Sequence, residues 1–169
     1  MSWIDYVNAF LINYADPNTQ KTYANACEHG AIIGNQDGAV WAASPGFGFG
    51  LVEVEVDKED GSGTQKVKVN EFENLNDAFN NQGTTKKQGG LRINKEKYFM
   101  VNFDGEKNVM YLKKSGGGAC VAKSGLGYVI GTFNTSKNVT INGHPSAQSP
   151  GTCNLVCEKL QEFLVSNNL

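Results

Sequence analysis

The sequence lacks the runs and residues that mark several large classes of protein. No apolar run approaches the length of about 20 residues that crosses a bilayer, and the first residues lack the basic start and apolar stretch of a signal peptide. We therefore expect neither a transmembrane segment nor a secretory signal. A net charge of −2 excludes a general attraction to nucleic acid. With 169 residues, the chain is long enough for one domain with its own core.

Cysteine is scarce and is not arranged for cross-linking. The four cysteines are Cys27, Cys120, Cys153 and Cys157, and none of them forms a CxxC pair. Cys153 and Cys157 are four residues apart, so on a helix both face the same side. We interpret all four as buried thiols in a reducing compartment, and we predict neither a disulfide framework nor a zinc site.

Histidine is also scarce, and the sequence offers no recognisable catalytic or cofactor site. His29 and His144 are the only histidines, and neither belongs to a Ser/Cys–His–Asp arrangement. The glycines within 46–50 are not followed by the helix and Lys-Ser/Thr of a phosphate loop. The acidic stretch 57–64 has Lys68 where a calcium loop requires a glutamate. We therefore predict a protein that is not an enzyme and has no metal or cofactor.

What the chain does contain begins with a helix over residues 1–11. Ser2 and Asp5 have the spacing of a capping box. A buried stripe with the i, i+3, i+4, i+7 spacing comprises Val7, Phe10, Leu11 and Tyr14. Trp3 and Tyr6, three residues apart, share a second face. That pair fits two interpretations about equally: rings that cover the core, and a flat aromatic platform for a stiff apolar ligand.

Local patterns predict two hairpins and two further helices in the first half of the chain. A short helix is expected at 22–28, and a hairpin at 31–43 has turn residues at 35–38. Strict alternation of valine with glutamate, and then with lysine, predicts a second hairpin over 51–69. A helix is expected at 70–80 from the spacing of its apolar residues.

The second half of the chain predicts a run of antiparallel strands and a last helix. The strands are expected at 89–94, 98–103, 109–112, 119–122 and 128–133. Residues 134–148 are polar and predict an extended surface loop. Ser149 and Pro150 start the last helix, because proline suits the first helical position. The buried stripe of this helix comprises Cys153, Val156, Cys157, Leu160 and Leu164. The predicted fold class is α+β, an antiparallel sheet with helices from both chain ends.

Three stretches together resemble the profilin family. They are the opening Met1-Ser-Trp-Ile-Asp-Tyr-Val7, the hairpin 31–42 and the closing segment 149–164, and residues 113–118 also match the family's late sheet. The resemblance implies a single profilin-like domain over 1–169. It implies a central antiparallel sheet with the N- and C-terminal helices side by side on one face and shorter helices on the other. The chain is longer than a typical profilin, with its excess in an inserted hairpin at 47–69, after Tyr14, and in the loop 134–148.

The resemblance also implies a function and its residues. Profilins bind monomeric actin and proline-rich segments, such as those of formins, and regulate actin polymerisation and filament elongation in the cytoplasm and cytoskeleton. The implied polyproline groove comprises Trp3, Tyr6, Trp41, Phe163 and Leu169. The implied actin surface comprises Lys97, Phe99, Asn102, Lys114, Gly151, Asn154 and Lys159. Phosphatidylinositol bisphosphate is a further implied ligand, for which the candidates are Lys86, Lys87, Arg92, Lys113 and Lys114. Without the resemblance, these lysines would be interpreted as solvated surface.

Some residues differ from the family pattern, and one alternative function remains open. Phe163 keeps an aromatic ring where the family usually has Tyr or His, but it lacks a hydrogen-bond donor. Asn102 stands where an arginine is common. The rival is a lipid- or small-ligand-binding α+β module that does not act on actin, in which Trp3, Tyr6 and Trp41 would be core residues. An accessible tryptophan would favour the profilin interpretation.

Overall fold

A central antiparallel sheet, two smaller sheets and three helices make up the structure, which is a computed structural model that describes residues 1–169. The helices are α1 (Trp3–Tyr6), which continues directly as a π-helix over Val7–Ile12, α2 (Glu71–Asn80) and α3 (Pro150–Ser166). The first six strands are β1 (Asn13–Ala15), β2 (Thr22–Ala24), β3 (His29–Gly34), β4 (Val40–Ala43), β5 (Leu51–Asp57) and β6 (Thr64–Asn70). The others are β7 (Leu91–Ile93), β8 (Glu96–Asp104), β9 (Val109–Lys114), β10 (Gly117–Lys123), β11 (Gly127–Asn134), β12 (Asn138–Ile141) and β13 (His144–Ala147).

The central sheet has seven strands in the order β4-β3-β11-β10-β9-β8-β7, and every neighbouring pair is antiparallel. Its middle strands β10 and β11 are buried over most of their length. Their sequences are accordingly runs of small and apolar residues without alternation, because both faces of the sheet are covered. No helix in the structure has the length and apolar character needed to cross a membrane.

The sheet separates two hydrophobic cores. The first core lies against the π-helix and α3 and includes Val7, Leu11, Val129, Val156 and Leu160. The second lies against α2 and includes Leu75, Phe79, Tyr98, Tyr128 and Ile130. This arrangement confirms the predicted α+β fold with the two terminal helical segments side by side on one face. A single helix, α2, covers the opposite face, where the resemblance implied shorter helices.

The predicted helix at 22–28 is wrong. Residues 22–24 form β2, which pairs with β1 so that Tyr23 lies opposite Tyr14, and the two rings stack with centroids 6.1 Å apart. Asn25 then takes a positive φ of 58°, which a helix does not allow. The weak local preference for helix is overridden because strand pairing buries Tyr23.

The predicted loop at 134–148 is wrong as well, because it contains a hairpin. Strands β12 and β13 pair, with Ile141 opposite His144. The turn between them is Asn142-Gly143, and both residues have positive φ (50° and 82°), as a two-residue hairpin turn of this type requires. Val139 is fully buried, so one face of the hairpin contributes to the first core. β12 also pairs with β2, giving a second sheet in the order β1-β2-β12-β13.

The N-terminal segment is helical as predicted, but only its first turn is an α-helix and the rest is a π-helix. The Asp5 carboxylate accepts hydrogen bonds from the N–H (2.9 Å) and hydroxyl (3.0 Å) of Ser2, which lowers the pKa of Asp5. After Tyr6 the turns widen into the π-helix, and Asn13 N–H donates to the carbonyl of Asn8. Tyr14, predicted on the helical stripe, lies in β1. It still stacks on Phe10, with centroids 5.5 Å apart.

The hairpin predicted over 51–69 is confirmed as β5 and β6, which form a separate two-stranded sheet. Its register places Glu53 opposite Lys68 and Glu55 opposite Lys66. Opposite charges therefore lie across from each other on the two strands, as the sequence pattern predicts. No ion pair within 4.0 Å forms between these strands. The predicted hairpin at 31–43, helix at 70–80, late strands and last helix are also present.

Glu71 anchors the base of this hairpin. Its side chain is fully buried at the start of α2. One carboxylate oxygen accepts the N–H of Gly50 (3.1 Å), and the other accepts the N–H of Lys95 (2.8 Å). The carboxylate thereby joins the start of β5 to the turn between β7 and β8. Burial raises the pKa of Glu71.

Candidate functional site

A row of aromatic side chains runs along the seam between the N-terminal helical segment and α3. We call Trp41, Trp3, Tyr6 and Phe163 the aromatic row. The ring centroids of Trp41 and Trp3 are 4.8 Å apart, those of Trp3 and Tyr6 are 5.9 Å apart, and those of Tyr6 and Phe163 are 5.3 Å apart. The structure thus brings together four of the five residues that the resemblance implied for a polyproline groove.

The rings of the aromatic row are not sealed in the core. Trp41 is 36% exposed, and the other three residues are partly exposed. Among the six tyrosines, the hydroxyls of Tyr111 and Tyr128 alone form hydrogen bonds within the chain, so that of Tyr6 is available. The row therefore offers flat apolar surface together with N–H and O–H donors. The rival interpretation, in which these rings are core residues, does not predict this exposure.

A β-bulge and two glycines position Trp41. In the β3–β4 pair, Ile32 lies opposite Ala42 and Ile33 opposite Val40, which leaves Trp41 as the extra residue. Bulges of this kind redirect a side chain. The indole lies over the opposed pair Gly34 and Gly127, where an added Cβ would come within 2.9 Å and 3.4 Å of the ring, respectively. Glycine at both positions therefore leaves a floor for the ring.

Leu169 lies at the same end of the structure as Trp41. Its N–H donates to the carbonyl of Leu164, and its own carbonyl accepts the N–H of Leu126, both at 2.8 Å. Leu126 directly precedes Gly127 in the chain, beneath the indole of Trp41. Leu169 is partly buried against the first core. These bonds fix the end of the chain close to the aromatic row.

A second concave surface lies where β8, β9 and β10 meet the start of α3. This strand cavity has a volume of about 450 Å³. Its lining includes Val101, Asn102, Tyr111, Lys113, Phe133 and Asn154. Asn102 and Asn154, two residues of the implied actin surface, therefore face each other across one cavity although they are far apart in the chain.

A second bulge shapes the edge of the strand cavity. Met100 lies opposite Leu112 and Asn102 opposite Tyr111, so Val101 is the extra residue in β8. Val101 is 58% exposed and Phe99 is 57% exposed. The Lys97 ammonium lies 5.5 Å from the centre of the Phe99 ring. The outer part of β8 thus presents apolar side chains beside a cation.

Two lysines of the implied actin surface lie elsewhere. The Lys114 ammonium is 5.6 Å from the centre of the Tyr98 ring, which belongs to the second core, and 4.0 Å from a carboxylate oxygen of Glu96. Its neighbour Lys113 faces the strand cavity, because successive strand residues point to opposite faces. Lys159 lies on the other side of α3, 3.8 Å from Glu162.

The remaining implied residues differ in how they are placed. Gly151 is exposed in the first turn of α3, near Asn154. The phosphoinositide candidates do not form one cationic patch: Lys86 and Lys87 lie in the loop after α2, and the five candidates also include Lys113 and Lys114, which point to opposite faces. The Arg92 guanidinium donates to the backbone carbonyls of Gly89 (3.1 Å) and Lys95 (2.9 Å).

Sequence reasoning missed several residues that build these surfaces. The Tyr111 hydroxyl donates to Glu158 at 3.1 Å, and the Lys107 ammonium is 3.5 Å from the same carboxylate. Gly34 and Gly127 were also missed, although glycine inside a strand pattern often marks a close approach. The two glycines could have been found from the strand patterns around them. The hydrogen bond between Tyr111 and Glu158 could not, because it joins segments that are distant in the chain.

The four cysteines are free and buried, as predicted, and three of them converge. The Sγ atoms of Cys27, Cys153 and Cys157 lie within 4.8 Å of one another and are the closest approach to a metal-ligand set in the chain. They gather over Gly131, where an added Cβ would lie 2.5 Å from the Cys157 sulfur. The neighbouring thiols of Cys157 and Cys27 lower the pKa of Cys153 below its ordinary value.

The profilin family model matches residues 1–169. The chain belongs to the profilin family. It is 42% identical over 138 residues to profilin of Tetrahymena pyriformis, a match that covers 81% of this chain and 86% of that protein. Its structure resembles Acanthamoeba castellanii profilin IB with a TM-score of 0.63 and 25% identity, over 99% of this chain and 100% of that one. Mouse profilin IIa in complex with a double repeat from the FH1 domain of mDia1 has the same fold, with a TM-score of 0.52 and 14% identity over 100% of both chains.

Family membership gives the chain the function that the resemblance implied. Profilins bind monomeric actin and proline-rich segments and regulate actin polymerisation, and they are a family of binding proteins without enzymatic activity. The chain is therefore an actin-binding and polyproline-binding protein. The rival interpretation of a module that does not act on actin is set aside.

Proposed function

We propose that the aromatic row is the groove in which this chain binds proline-rich segments. The supporting observation is that Trp3, Tyr6 and Trp41 lie in one contiguous row with exposed ring surface. A polyproline II helix has no internal hydrogen bonds and is already extended, so it loses little conformational entropy when it docks on flat rings. Indole N–H and phenol O–H groups then donate to its carbonyls. Phe163 supplies a ring but no donor, and Leu169 supports the end of the row.

The ligand we propose is a segment of the kind found in formins. Mouse profilin IIa was solved with a double repeat from an FH1 domain. That likeness shows the fold alone, so the support for the same ligand class comes from the row itself. Four aromatic residues at spacings of 4.8 to 5.9 Å form a surface without a charged residue among them, which suits a neutral, stiff ligand.

We place the actin surface around the strand cavity. Its residues are Lys97, Phe99, Asn102, Gly151 and Asn154, with Lys113 in the place that the resemblance implied for Lys114. Exposed Phe99 and Val101 next to lysines make a surface of apolar centre and polar rim, which is typical of protein interfaces. Lys159 is left out because it lies on the other side of α3. We expect micromolar affinity, roughly −8 kcal/mol.

The cellular role follows from these two surfaces. By holding monomers, the chain would limit spontaneous nucleation, and by binding proline-rich assembly factors it would deliver monomers to filament ends. We propose a cytoplasmic, cytoskeletal location, no catalytic activity, and one domain with the hairpin β5–β6 as its insertion. Phosphoinositide binding stays a prediction, with weak support because the candidate residues are dispersed.

One experiment tests both surfaces with paired variants. Trp3→Ala is expected to abolish retention on a proline-decamer column and to leave binding to monomeric actin, followed by fluorescence, unchanged. Lys113→Glu is expected to do the reverse, because it alters charge in the strand cavity alone.

Lys114→Glu is the matched control, since it makes the same charge change one residue along β9 on the opposite face. Unchanged retention of Trp3→Ala on the column would remove the groove assignment. Equal loss of actin binding with Lys113→Glu and Lys114→Glu would remove the assignment of the strand cavity.

A further inference from the structure

A second cavity lies directly beyond the aromatic row. It sits between the end of the π-helix, the segment after β1 and the second half of α3, and its volume is about 560 Å³. Its lining includes Phe10, Tyr14, Pro17, Lys159, Glu162 and Phe163. None of these except Phe163 was implied for the groove. Phe163 belongs to both places, so the cavity and the aromatic row share a wall.

Ring contacts continue from the row into this cavity without a gap. The centroid of Phe163 lies 5.3 Å from that of Tyr6 on one side and 5.3 Å from that of Phe10 on the other. Phe10 in turn stacks on Tyr14 with centroids 5.5 Å apart and planes inclined by 24°. Phe10 lies in the π-helix, and Tyr14 follows it in β1.

The Tyr14 hydroxyl is a donor without a partner. Tyr14 is only 7% exposed, yet its hydroxyl forms no hydrogen bond within the chain, whereas those of Tyr111 and Tyr128 do. Its oxygen is not among the buried polar atoms without a partner, so the hydroxyl reaches the open side of the cavity. Burial raises its pKa, so the group remains a donor at neutral pH. Because Tyr14 lines the cavity, a carbonyl of a ligand there would accept from this hydroxyl in place of water.

The charges at the cavity do not favour an anion. The Lys159 ammonium is already 3.8 Å from the Glu162 carboxylate, so the positive charge on this wall has a partner of opposite sign. A phosphate or an acidic peptide would meet Glu162 as well as Lys159. A neutral, extended segment with carbonyl acceptors fits the rings, the hydroxyl and the balanced charge together.

We propose that the proline-rich groove continues past Phe163 into a second subsite formed by Phe10, Tyr14 and Pro17, so that the chain takes proline-rich segments about one turn longer than the aromatic row alone would hold. This inference rests on the proposed function of the aromatic row. The two added steps, 5.3 Å from Phe163 to Phe10 and 5.5 Å from Phe10 to Tyr14, match about one turn of three residues at about 3.1 Å rise.

The test compares a short and a long ligand by isothermal titration calorimetry. A peptide of six prolines, about 19 Å long, covers the aromatic row, and a peptide of twelve prolines also reaches the second subsite. In Phe10→Ala we expect the long peptide to bind roughly three- to tenfold more weakly, the range produced by loss of one aromatic contact. The short peptide should bind as it does to the wild type. Extra binding registers on the long peptide affect wild type and variant equally, so they cancel in this comparison.

Two further variants keep the test decisive. Tyr14→Phe retains the ring and removes only the hydroxyl, so it covers the case in which Phe10→Ala does not fold, and it should weaken the long peptide alone. Val165→Ala, on the outer side of α3 where this residue is 55% exposed, is the matched control and should change neither peptide.

The outcomes separate this inference from the proposed function. Losses with Phe10→Ala and Tyr14→Phe that are the same for both peptide lengths, or absent for both, would overturn the second subsite while the aromatic row stands. If the wild type binds neither peptide, or if Trp3→Ala binds the short peptide normally, the proposed groove fails and the second subsite fails with it.

Discussion

The aromatic row and the strand cavity flank the same helix but are assembled in different ways. The row is built mainly from residues near the two chain ends, Trp3, Tyr6 and Phe163, on elements whose local sequence already predicts them as helical. The strand cavity takes side chains from four strands and from Asn154 of α3. Its membership depends on which face each strand residue points to, and therefore on the register and bulges of the sheet.

Because of this difference, the two surfaces depend on different structural contacts. The row requires the terminal helices to pack together and a flat floor beneath Trp41. The strand cavity requires β8 and β9 to keep the pairing that places Asn102 opposite Tyr111. Both depend on the contact between α3 and the middle of the sheet, where the buried thiols gather over Gly131.

Gly131→Ala is expected to have the largest effect, because it disturbs the support that both surfaces share. An added Cβ would lie 2.5 Å from the sulfur of Cys157 and 2.9 Å from that of Cys27, so the helix or strand must shift. Overpacking of this kind costs about 2 kcal/mol, which lowers Tm by roughly 4–8 °C for a chain of this size. Thermal unfolding followed by circular dichroism measures it. Gly105→Ala is the control, since its Cβ would meet nothing closer than 3.7 Å. Equal Tm values for the two variants would contradict the prediction.

Gly34→Ala is expected to weaken the aromatic row while leaving the strand cavity intact. The new Cβ would come within 2.9 Å of the indole of Trp41 and displace the ring from its floor. We expect polyproline affinity to fall about tenfold, or about 1.4 kcal/mol. Calorimetry with a proline peptide measures this loss, and binding of monomeric actin by the same variant is the internal control. A parallel loss of actin binding would show that the two surfaces are not independent.

Tyr111→Phe is expected to weaken the strand cavity while leaving the aromatic row intact. It removes the hydrogen bond to Glu158 that holds the Tyr111 ring in the lining of the strand cavity. We expect actin affinity to fall by about 1 kcal/mol, or roughly fivefold, with polyproline binding unchanged. Tyr128→Phe also loses one hydrogen bond, to Asn76 at 2.8 Å, but on the side of α2. If both variants weaken actin binding equally, the effect belongs to general stability and not to the cavity.

Glu71→Gln is expected to have the smallest effect and to touch neither surface. Burial raises the pKa of Glu71 above its ordinary value of 4.5. The folded chain therefore holds this proton more tightly than the unfolded chain, so the stability from protonation is complete below that value and is lost as pH rises through the raised pKa. We expect the free energy of unfolding of the wild type, relative to Glu71→Gln, to increase as pH falls from 7 to 4.5. Urea unfolding at both pH values measures it, with exposed Glu73→Gln as control. A difference that shrinks toward acid would refute this sign.

The parts of the fold predicted from sequence are those governed by short-range patterns. The alternation of β5 and β6, the Pro150 start of α3 and the apolar stripe of that helix all lie within a few residues. The wrong predictions at 22–28 and 134–148 concern strands of one small sheet, in which β2 and β12 pair although they are distant in the chain. In the second of these the Asn142-Gly143 turn was a local signal that the polar composition obscured.

The candidate site divides in the same way. Helical spacing placed Trp3 and Tyr6 on one face but left open whether they cover the core or form a platform. The family resemblance implied the platform and added Trp41 and Phe163. The placement of Lys113 rather than Lys114 at the strand cavity, the distance of Lys159 from it and the contact of Phe10 with Phe163 could not be predicted. Each depends on which face of a strand or helix meets a neighbour, which one residue of register reverses.

The amino-acid sequence by itself determined most of the element types, the burial of its cysteines and the aromatic content of the chain ends, because hydrophobic periodicity and turn chemistry act between residues close in the chain. Tertiary structure alone decided that Trp41 is turned onto a glycine floor, that three thiols converge, and that Asn102 and Asn154 share a cavity. Those features arise from bulges and strand register, which are set by the packing of segments far apart in the sequence.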